Sequence, residues 1–173
     1  MAKYVIKDSG MRIRISDMDA IRLHGIARYF YLKKVPLLPT VFQKLIWLLH
    51  KSRVCKEIEI GRGTRLMGGG VMMNHRIKIG KNVFIGEGVG IGGRGLAGSD
   101  VPVIGNNVHI APGAMVLGPI TIGDNVAIGA NAVVIKSVPP NCFVAGCPAK
   151  IIKQVPSAEN FNASTFQEYF QYF

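Results

Sequence analysis

The side chains best suited to proton transfer in this chain are four histidines, His24, His50, His75 and His109. A histidine titrates near neutral pH, so it can take a proton from a reacting group and return it later in the same cycle. His24 and His50 fall in segments with helical patterning, where a surface or packing role is the simpler interpretation. His75 and His109 fall among short, turn-rich segments and are the two candidates for a general base, in that order. The alternatives are a surface turn residue at His75 and a solvent-facing strand position at His109.

Other reactive motifs point away from metal, disulfide and dinucleotide chemistry. The three cysteines are Cys55, Cys142 and Cys147. They lack the paired spacing of a zinc site or a disulfide framework, which predicts no metal and a reducing compartment. Residues 93–98 match GxGxxG, but no helical sequence follows them as a dinucleotide fold requires. We therefore interpret that segment as a loop.

A six-residue repeat must position these side chains. Aliphatic residues recur at every sixth position, with one extra residue within 67–70 and a longer insertion from Gly92 to Val103. This first series comprises Ile60, Leu66, Met73, Ile79, Ile85, Ile91, Ile104, Ile110, Val116, Ile122, Ile128 and Val134. The second series, of small or β-branched residues four positions later, comprises Thr64, Ile77, Val83, Val89, Val108, Ala114, Ile120, Val126, Ala132 and Val138.

The spacing of the two series predicts a mainly β solenoid. Between them lie glycine, asparagine and aspartate, which tolerate tight turns and positive φ. An amphipathic helix would repeat near 3.6 residues and an antiparallel meander would have longer strands, so neither fits. Three hexads instead fit one triangular coil of about 18 residues, whose aliphatic side chains stack on those of the next coil.

Four motifs within the repeat are similar to those of a known family. They are IGGRG at residues 91–95, APGAMVLGP at 111–119, IGANAVV at 128–134 and VAGCPAK at 144–150. With the hexads, they resemble the hexapeptide-repeat acyltransferases, in particular the serine O-acetyltransferase-like branch that includes polysaccharide and sugar O-acetyltransferases. The resemblance covers residues 57–153. It implies a left-handed parallel β-helix, a homotrimer with active sites between neighbouring solenoids, and acetyl-CoA as the acyl donor.

Direct transfer of an acetyl group to a hydroxyl requires a base, donors for the oxyanion and a groove for the pantetheine arm. The resemblance assigns to acetyl-CoA the residues Ala111, Gly113, Gly129, Ala130, Lys136 and Lys150. The two lysines would bind its phosphates, with solvation of a turn as the alternative. Asn74, Arg94 and Asp100 are the candidate contacts to the acceptor.

Two positions depart from the family pattern. Met67 precedes the triple glycine where polysaccharide-type relatives often carry histidine, and Val101 precedes the proline where serine acetyltransferases carry another. His75 stands near the place where some relatives show His-Pro, and we interpret it as a substitute shifted by one residue. His109 opens a phrase similar to that of sialic-acid and amino-sugar acetyltransferases, where a histidine lines the site. The departures favour a sugar over serine as the acceptor.

Basic charge is concentrated in the N-terminal third of the chain. The net charge is +11, and residues 1–56 hold 12 of the 21 Lys and Arg residues. Nucleic acid, an anionic membrane surface or a phosphate-bearing small molecule could explain this charge, as could a solvated surface with no partner. No nucleic-acid recognition motif accompanies it, so we expect no nucleic-acid partner.

Helical patterning precedes the repeat and an aromatic segment follows it. One helix, capped by Ser16 or Asp17, should end before Pro36, and a second should begin near Thr40. We expect them to cover the first coil or a neighbouring subunit, with a membrane-lying helix as the alternative. The three segments are therefore residues 1–56, the solenoid 57–153 and an aromatic tail 154–173 that we expect to dock on its own trimer.

The favoured function is an O-acetyltransferase for a sugar or polysaccharide precursor, with peripheral contact to a membrane or a lipid-linked acceptor. Serine O-acetyltransferase is the alternative, and a non-catalytic β-solenoid scaffold is the second alternative. The N-terminus lacks an apolar signal core and no stretch is long enough to span a bilayer, which predicts a cytoplasmic protein.

Overall fold

The computed structural model describes residues 20–93 and 100–154. Two helices come first, α1 at Ala20–Leu32 and α2 at Leu38–His50. The strands that follow are β1 Arg53–Val54, β2 Glu59–Ile60, β3 Arg65–Leu66, β4 Met72–Met73, β5 Lys78–Ile79, β6 Phe84–Ile85, β7 Gly90–Gly92, β8 Val103–Ile104, β9 His109–Ile110, β10 Met115–Leu117, β11 Thr121–Ile122, β12 Ala127–Ile128, β13 Val133–Val134, β14 Cys142–Gly146 and β15 Ala149–Gln154. No described helix is long and apolar enough to cross a membrane.

The strands form three sheets that the chain visits in turn. The first sheet has the order β1-β4-β7-β10-β13, the second β2-β5-β8-β11, and the third β3-β6-β9-β12-β14-β15. All pairings are parallel except that of β14 with β15. The mainly β architecture with N-terminal helices is confirmed, and apart from β14 with β15 each strand pairs with strands about one coil away rather than with its neighbour in sequence.

The strand register reproduces the predicted repeat and its two interruptions. Met72 pairs with Gly90, 18 residues further on, and Met115 pairs with Val133 at the same spacing. Arg53 pairs with Met72 at a spacing of 19, which accommodates the extra residue. Gly90 pairs with Met115 at a spacing of 25, which accommodates the insertion. Additional residues therefore leave the coil at its corners without shifting the strands.

Both predicted series form the core. All ten members of the second series are buried, and so are the members of the first series from Met73 onwards. Ile60 and Leu66 are half-buried because they belong to the first coil, which lacks a coil on one side. Each fully buried isoleucine contributes roughly 1.5–3 kcal/mol relative to exposure.

One corner of the coil carries a column of asparagines. Asn82, Asn107, Asn125 and Asn141 all have positive φ, between 54° and 59°. Their side-chain amides donate along the column, from Asn82 to Asn107 at 3.2 Å, from Asn107 to Asn125 at 3.1 Å and from Asn125 to Asn141 at 2.9 Å. Asparagine suits this corner because it tolerates the left-handed conformation and can also bond to the coils on either side.

The helices pack on the first coil, as predicted. Ala20, Leu23 and Ile46 join the core cluster. The guanidinium of Arg28 donates at 3.0 Å to the backbone carbonyls of both Glu57 and Ile58. These contacts tie α1 to the corner between β1 and β2.

His24 has a packing role on this helix. The side chain is buried, and its Nε2 lies 3.1 Å from the Cys55 carbonyl. Burial lowers the pKa of His24.

The sequence did not predict the final hairpin. Ala149–Gln154 turns back antiparallel to Cys142–Gly146, after a cis peptide bond between Cys147 and Pro148. The predicted cap at Ser16 or Asp17 and the aromatic residues after Gln154 lie outside the described residues.

We expect the asparagine column to contribute measurably to stability. Asn125→Ala should lower the free energy of unfolding by about 1–3 kcal/mol, because it loses two side-chain hydrogen bonds and places alanine at a φ of 56°. Asn125→Gly should cost less, since glycine accepts that conformation. Urea unfolding at one protein concentration tests this, and equal losses in the two variants would rule out a backbone contribution.

Candidate functional site

Four of the six residues assigned to acetyl-CoA lie at one corner, where the chain passes from the third sheet to the first. Ala111 and Gly113 lie between β9 and β10, and Gly129 and Ala130 occupy the same place one coil later. The backbone amide of Asn131 donates to the Pro112 carbonyl at 3.0 Å, which holds the two turns together. We call this the third-to-first corner.

Close stacking of coils explains the small residues at this corner. Gly113 has a φ of 73°, and a side chain there would collide with the Asn131 amide. A Cβ on Gly86, one coil earlier, would lie 2.6 Å from the Pro112 nitrogen. Ala111 and Gly129 are buried, whereas Gly113 is half-buried and Ala130 is exposed. A ligand at the corner would therefore contact Gly113 and Ala130 first.

The two candidate lysines lie on different corners of the chain. Lys150 is exposed on β15 and pairs with Ala145 of β14. β14 is bonded to the third-to-first corner, because the Gly129 amide donates to the Val144 carbonyl at 2.8 Å. Lys136 is exposed between β13 and Val138, where the chain passes from the first sheet to the second. Within one chain, only Lys150 adjoins the residues assigned to the pantetheine arm.

His109 lies on the outer face of the third sheet. Its ring stacks on Phe84, with ring centroids 4.4 Å apart and an interplanar angle of 7°. The side chain is half-buried rather than solvent-facing, because Phe84 and Ala127 flank it on the neighbouring strands. Burial lowers the pKa of His109 to about 4. The imidazole is therefore neutral at pH 7, but it is a weak base compared with a group matched to that pH.

The stacking partner of His109 was missed in the sequence. Phe84 and His109 each directly precede a residue of the first aliphatic series, Ile85 and Ile110. Side chains at such positions point outward and meet across adjacent coils. The repeat thus contained the signal for this pair.

His75, Asn74 and Asp100 belong to the corner between the first and second sheets. His75 is exposed in the turn after β4. The Asn74 side-chain amide lies beneath Gly92, where a Cβ would be 3.2 Å from it, and a Cβ on Gly93 would lie 2.7 Å from the Asp100 carbonyl oxygen. The two ends of the insertion, Gly93 and Asp100, therefore lie close together, next to Gly92 and Asn74. Arg94 lies outside the described residues.

A cavity of about 880 Å³ adjoins His75. It lies between α2 and the first coil, and its lining includes Lys44, Trp47, Arg53, Lys56, His75 and Arg76. His75 thus faces this cavity and the insertion corner, whereas His109 lies on the third sheet. Within one chain the two histidines therefore lie on different sides of the coil.

No group of three or more His, Cys, Asp or Glu side chains suited to hold a metal ion occurs within residues 20–93 and 100–154.

Comparison with known proteins identifies the class. Residues 102–136 match the family model "Bacterial transferase hexapeptide (six repeats)", and residues 76–95 match "Hexapeptide repeat of succinyl-transferase". The chain belongs to the hexapeptide-repeat acyltransferases. A comparison with curated proteins found no match.

Within this class, the chain is similar to solved serine acetyltransferases. The enzyme of Neisseria gonorrhoeae is 34% identical over 80% of this chain and 56% of its own, with a TM-score of 0.73. That of Brucella abortus strain S19 is 33% identical over 79% and 56%, with a TM-score of 0.76. A serine acetyltransferase solved in complex with CoA is 30% identical over 77% and 55%, with a TM-score of 0.72. The chain spans just over half the length of these relatives.

The depressed pKa of His109 predicts a dependence of stability on pH. The unfolded chain takes up a proton on this residue near pH 6.5, whereas the folded chain does so near pH 4. The contribution of His109 to the free energy of unfolding should therefore be complete above pH 6.5, fall as the pH drops toward 4, and level off below.

His109→Gln should reduce this fall, and His24→Gln should remove a further part because burial also lowers the His24 pKa. Urea unfolding between pH 4 and 7.5 measures the effect. An unchanged pH dependence in His109→Gln would contradict it.

Proposed function

We propose that this chain is an acetyl-CoA-dependent O-acetyltransferase that acts as a homotrimer of left-handed β-helices. The main support is the similarity to serine acetyltransferases, at 30–34% identity across more than three quarters of this chain. One of those relatives was solved with CoA. The third-to-first corner supports the same reading, because its small residues leave backbone groups and Lys150 accessible to a CoA molecule.

A site between subunits accounts for the separation of the candidate residues. In one chain, Lys136 and His75 are on the corner between the first and second sheets, while Gly113, Ala130 and Lys150 are on or beside the third-to-first corner. A trimer brings a corner of one subunit against a different corner of its neighbour. Lys136 of a neighbouring subunit would then join Lys150 at the phosphates, as the resemblance implies for this family.

We assign the general base to His75. It is exposed and beside the insertion, so it can reach an acceptor hydroxyl. His109 is stacked on Phe84 and its pKa near 4 makes it a poor base at neutral pH. Its neutral ring is better suited to orient a ligand by hydrogen bonding. Asn74 and Asp100 border the same insertion, and with Arg94 they stay our candidates for acceptor contacts.

Serine is the acceptor that the relatives favour over a sugar, which reverses our preference from the sequence. A sugar hydroxyl is the second candidate. It is favoured by Met67 and Val101, which occupy the two positions where a histidine was expected from the family pattern. A reducing compartment such as the cytoplasm is consistent with the three cysteines, all of which are free.

An acceptor screen tests the proposed reaction. Purified protein should release CoA from acetyl-CoA faster with L-serine than without an acceptor, as followed by the absorbance of a thiol reagent. Sugars and nucleotide sugars form the second arm, and faster release with one of these would select the second candidate. A protein that neither binds acetyl-CoA at millimolar concentration nor releases CoA with any acceptor is not the proposed enzyme.

Replacement of His75 tests the assignment of the base. His75→Ala should lower kcat by on the order of 10²–10⁴, the range expected for loss of a general base, while the oligomer survives gel filtration. His50→Ala is the matched control, because it removes a histidine from α2, outside the proposed site. Near-normal turnover in His75→Ala combined with a large loss in His109→Gln would move the role to His109.

A further inference from the structure

The helical hairpin of α1 and α2 exposes large apolar side chains at its tip and along one side. Leu32 is 64% exposed, Leu37 78%, Val41 56% and Leu48 60%. We call these four residues the hairpin face. Isolated exposed leucines are ordinary, but several on one short element mark an interaction surface.

Helical geometry aligns most of the hairpin face on one side of α2. Leu37, the N-cap, is followed by Val41 and Leu48 at spacings of four and seven, which puts the three on a common side of the helix. Ile46, which is fully buried, anchors the opposite side to the first coil. Leu32 precedes the turn that leads to Leu37. The apolar surface therefore faces away from the body of the protein.

Leu37 is unfavourable in its backbone conformation as well as in its exposure to solvent. It is the N-cap of α2, where it makes no side-chain capping bond, and its φ is 69°. Asparagine, aspartate, serine or glycine would favour this position, and an exposed leucine with positive φ favours neither folding nor solvation. A residue that conflicts with the preferences of its position, and stabilises nothing in the fold, indicates a functional role.

The charged side chains of the hairpin itself have a single sign. Residues 20–50 contain five Lys or Arg residues and no Asp or Glu. Lys33 and Lys34 form the tip beside Leu32 and Leu37, and both are exposed. Lys44, also exposed, lies at the edge of this side and lines the cavity between α2 and the first coil. The first acidic residue after the hairpin is Glu57.

We infer that the hairpin face binds an anionic lipid membrane peripherally. Its aliphatic side chains would enter the boundary between headgroups and acyl chains, while the tip lysines contact headgroup phosphates. The hairpin of a second copy fits less well, because it would bring like charge and no Asp or Glu within residues 20–50. The inference rests on these residues and not on the proposed acetyl transfer.

Vesicle binding tests this inference on the full chain. The protein should sediment with vesicles of phosphatidylcholine and phosphatidylglycerol, and much less with phosphatidylcholine alone, with binding that weakens as salt is added. Leu37→Asp should weaken binding about tenfold or more, because it removes an inserted side chain and adds a negative charge at the surface. Lys33→Glu combined with Lys34→Glu should also weaken it by more than tenfold, at about fivefold or more per lysine.

Leu37→Asp should preserve the fold, because aspartate caps a helix and complements its dipole. The thermal unfolding temperature of this variant should therefore equal or exceed that of the parent. Ile152→Asp and Lys81→Glu are the controls, because each places a carboxylate at an exposed apolar or basic residue outside the hairpin, and both variants should bind like the parent.

Three results would overturn the inference. They are absence of binding to the anionic vesicles, unchanged binding in a folded Leu37→Asp variant, and a change of oligomeric state in that variant without a change in vesicle binding. The last result would assign the hairpin face to a subunit contact. Each can be read without an activity assay, so failure here is distinguishable from failure of the proposed acetyltransferase.

Discussion

The structure depends on the stacking of one coil on the next. Aliphatic side chains that return every sixth residue fill the interior, while backbone amides and carbonyls pair between coils, so burial and hydrogen bonding reinforce each other along the same axis. Gly61, Gly80 and Gly105 stack at one corner, where a Cβ on Gly61 would lie 2.5 Å from the carbonyl carbon of Gly80. This spacing leaves no room for larger residues at that corner. At the corner between the first and second sheets, the insertion after β7 adds residues while the strands on both sides keep their register.

The same constraint determines where chemistry can occur. Interior positions are occupied by the core, so functional side chains must lie on outward strand positions or at corners. His109 lies at an outward strand position, where it stacks on Phe84 and burial lowers its pKa. His75 lies at a corner and is exposed. One chain distributes its candidate residues over different corners. An assembly that joins unlike corners is therefore the simplest way to build a complete acyltransferase site.

The core was predictable because it depends only on period, and every member of the second series is buried as expected. The corner on which each candidate residue lies could also be predicted by counting hexads. Ala111 and Gly129 are one coil apart and share a corner, whereas Lys136 lies one hexad after Ala130 and falls on the next corner. Arg76 was not predictable, because an arginine at a φ of 68° replaces the usual turn residues. Nor was β15, since its pairing reverses the direction that the repeat imposes. In the proposed trimer the acceptor would depend on side chains at a subunit boundary, which a repeat does not encode.

A crystal structure of the protein grown with CoA tests the central claim most directly. The account predicts a trimer in which CoA lies along the third-to-first corner, against Gly113 and Ala130, with Lys150 and the neighbouring subunit's Lys136 at its phosphates. A structure in which saturating CoA leaves that corner empty, or occupies a site within a single subunit, would contradict it.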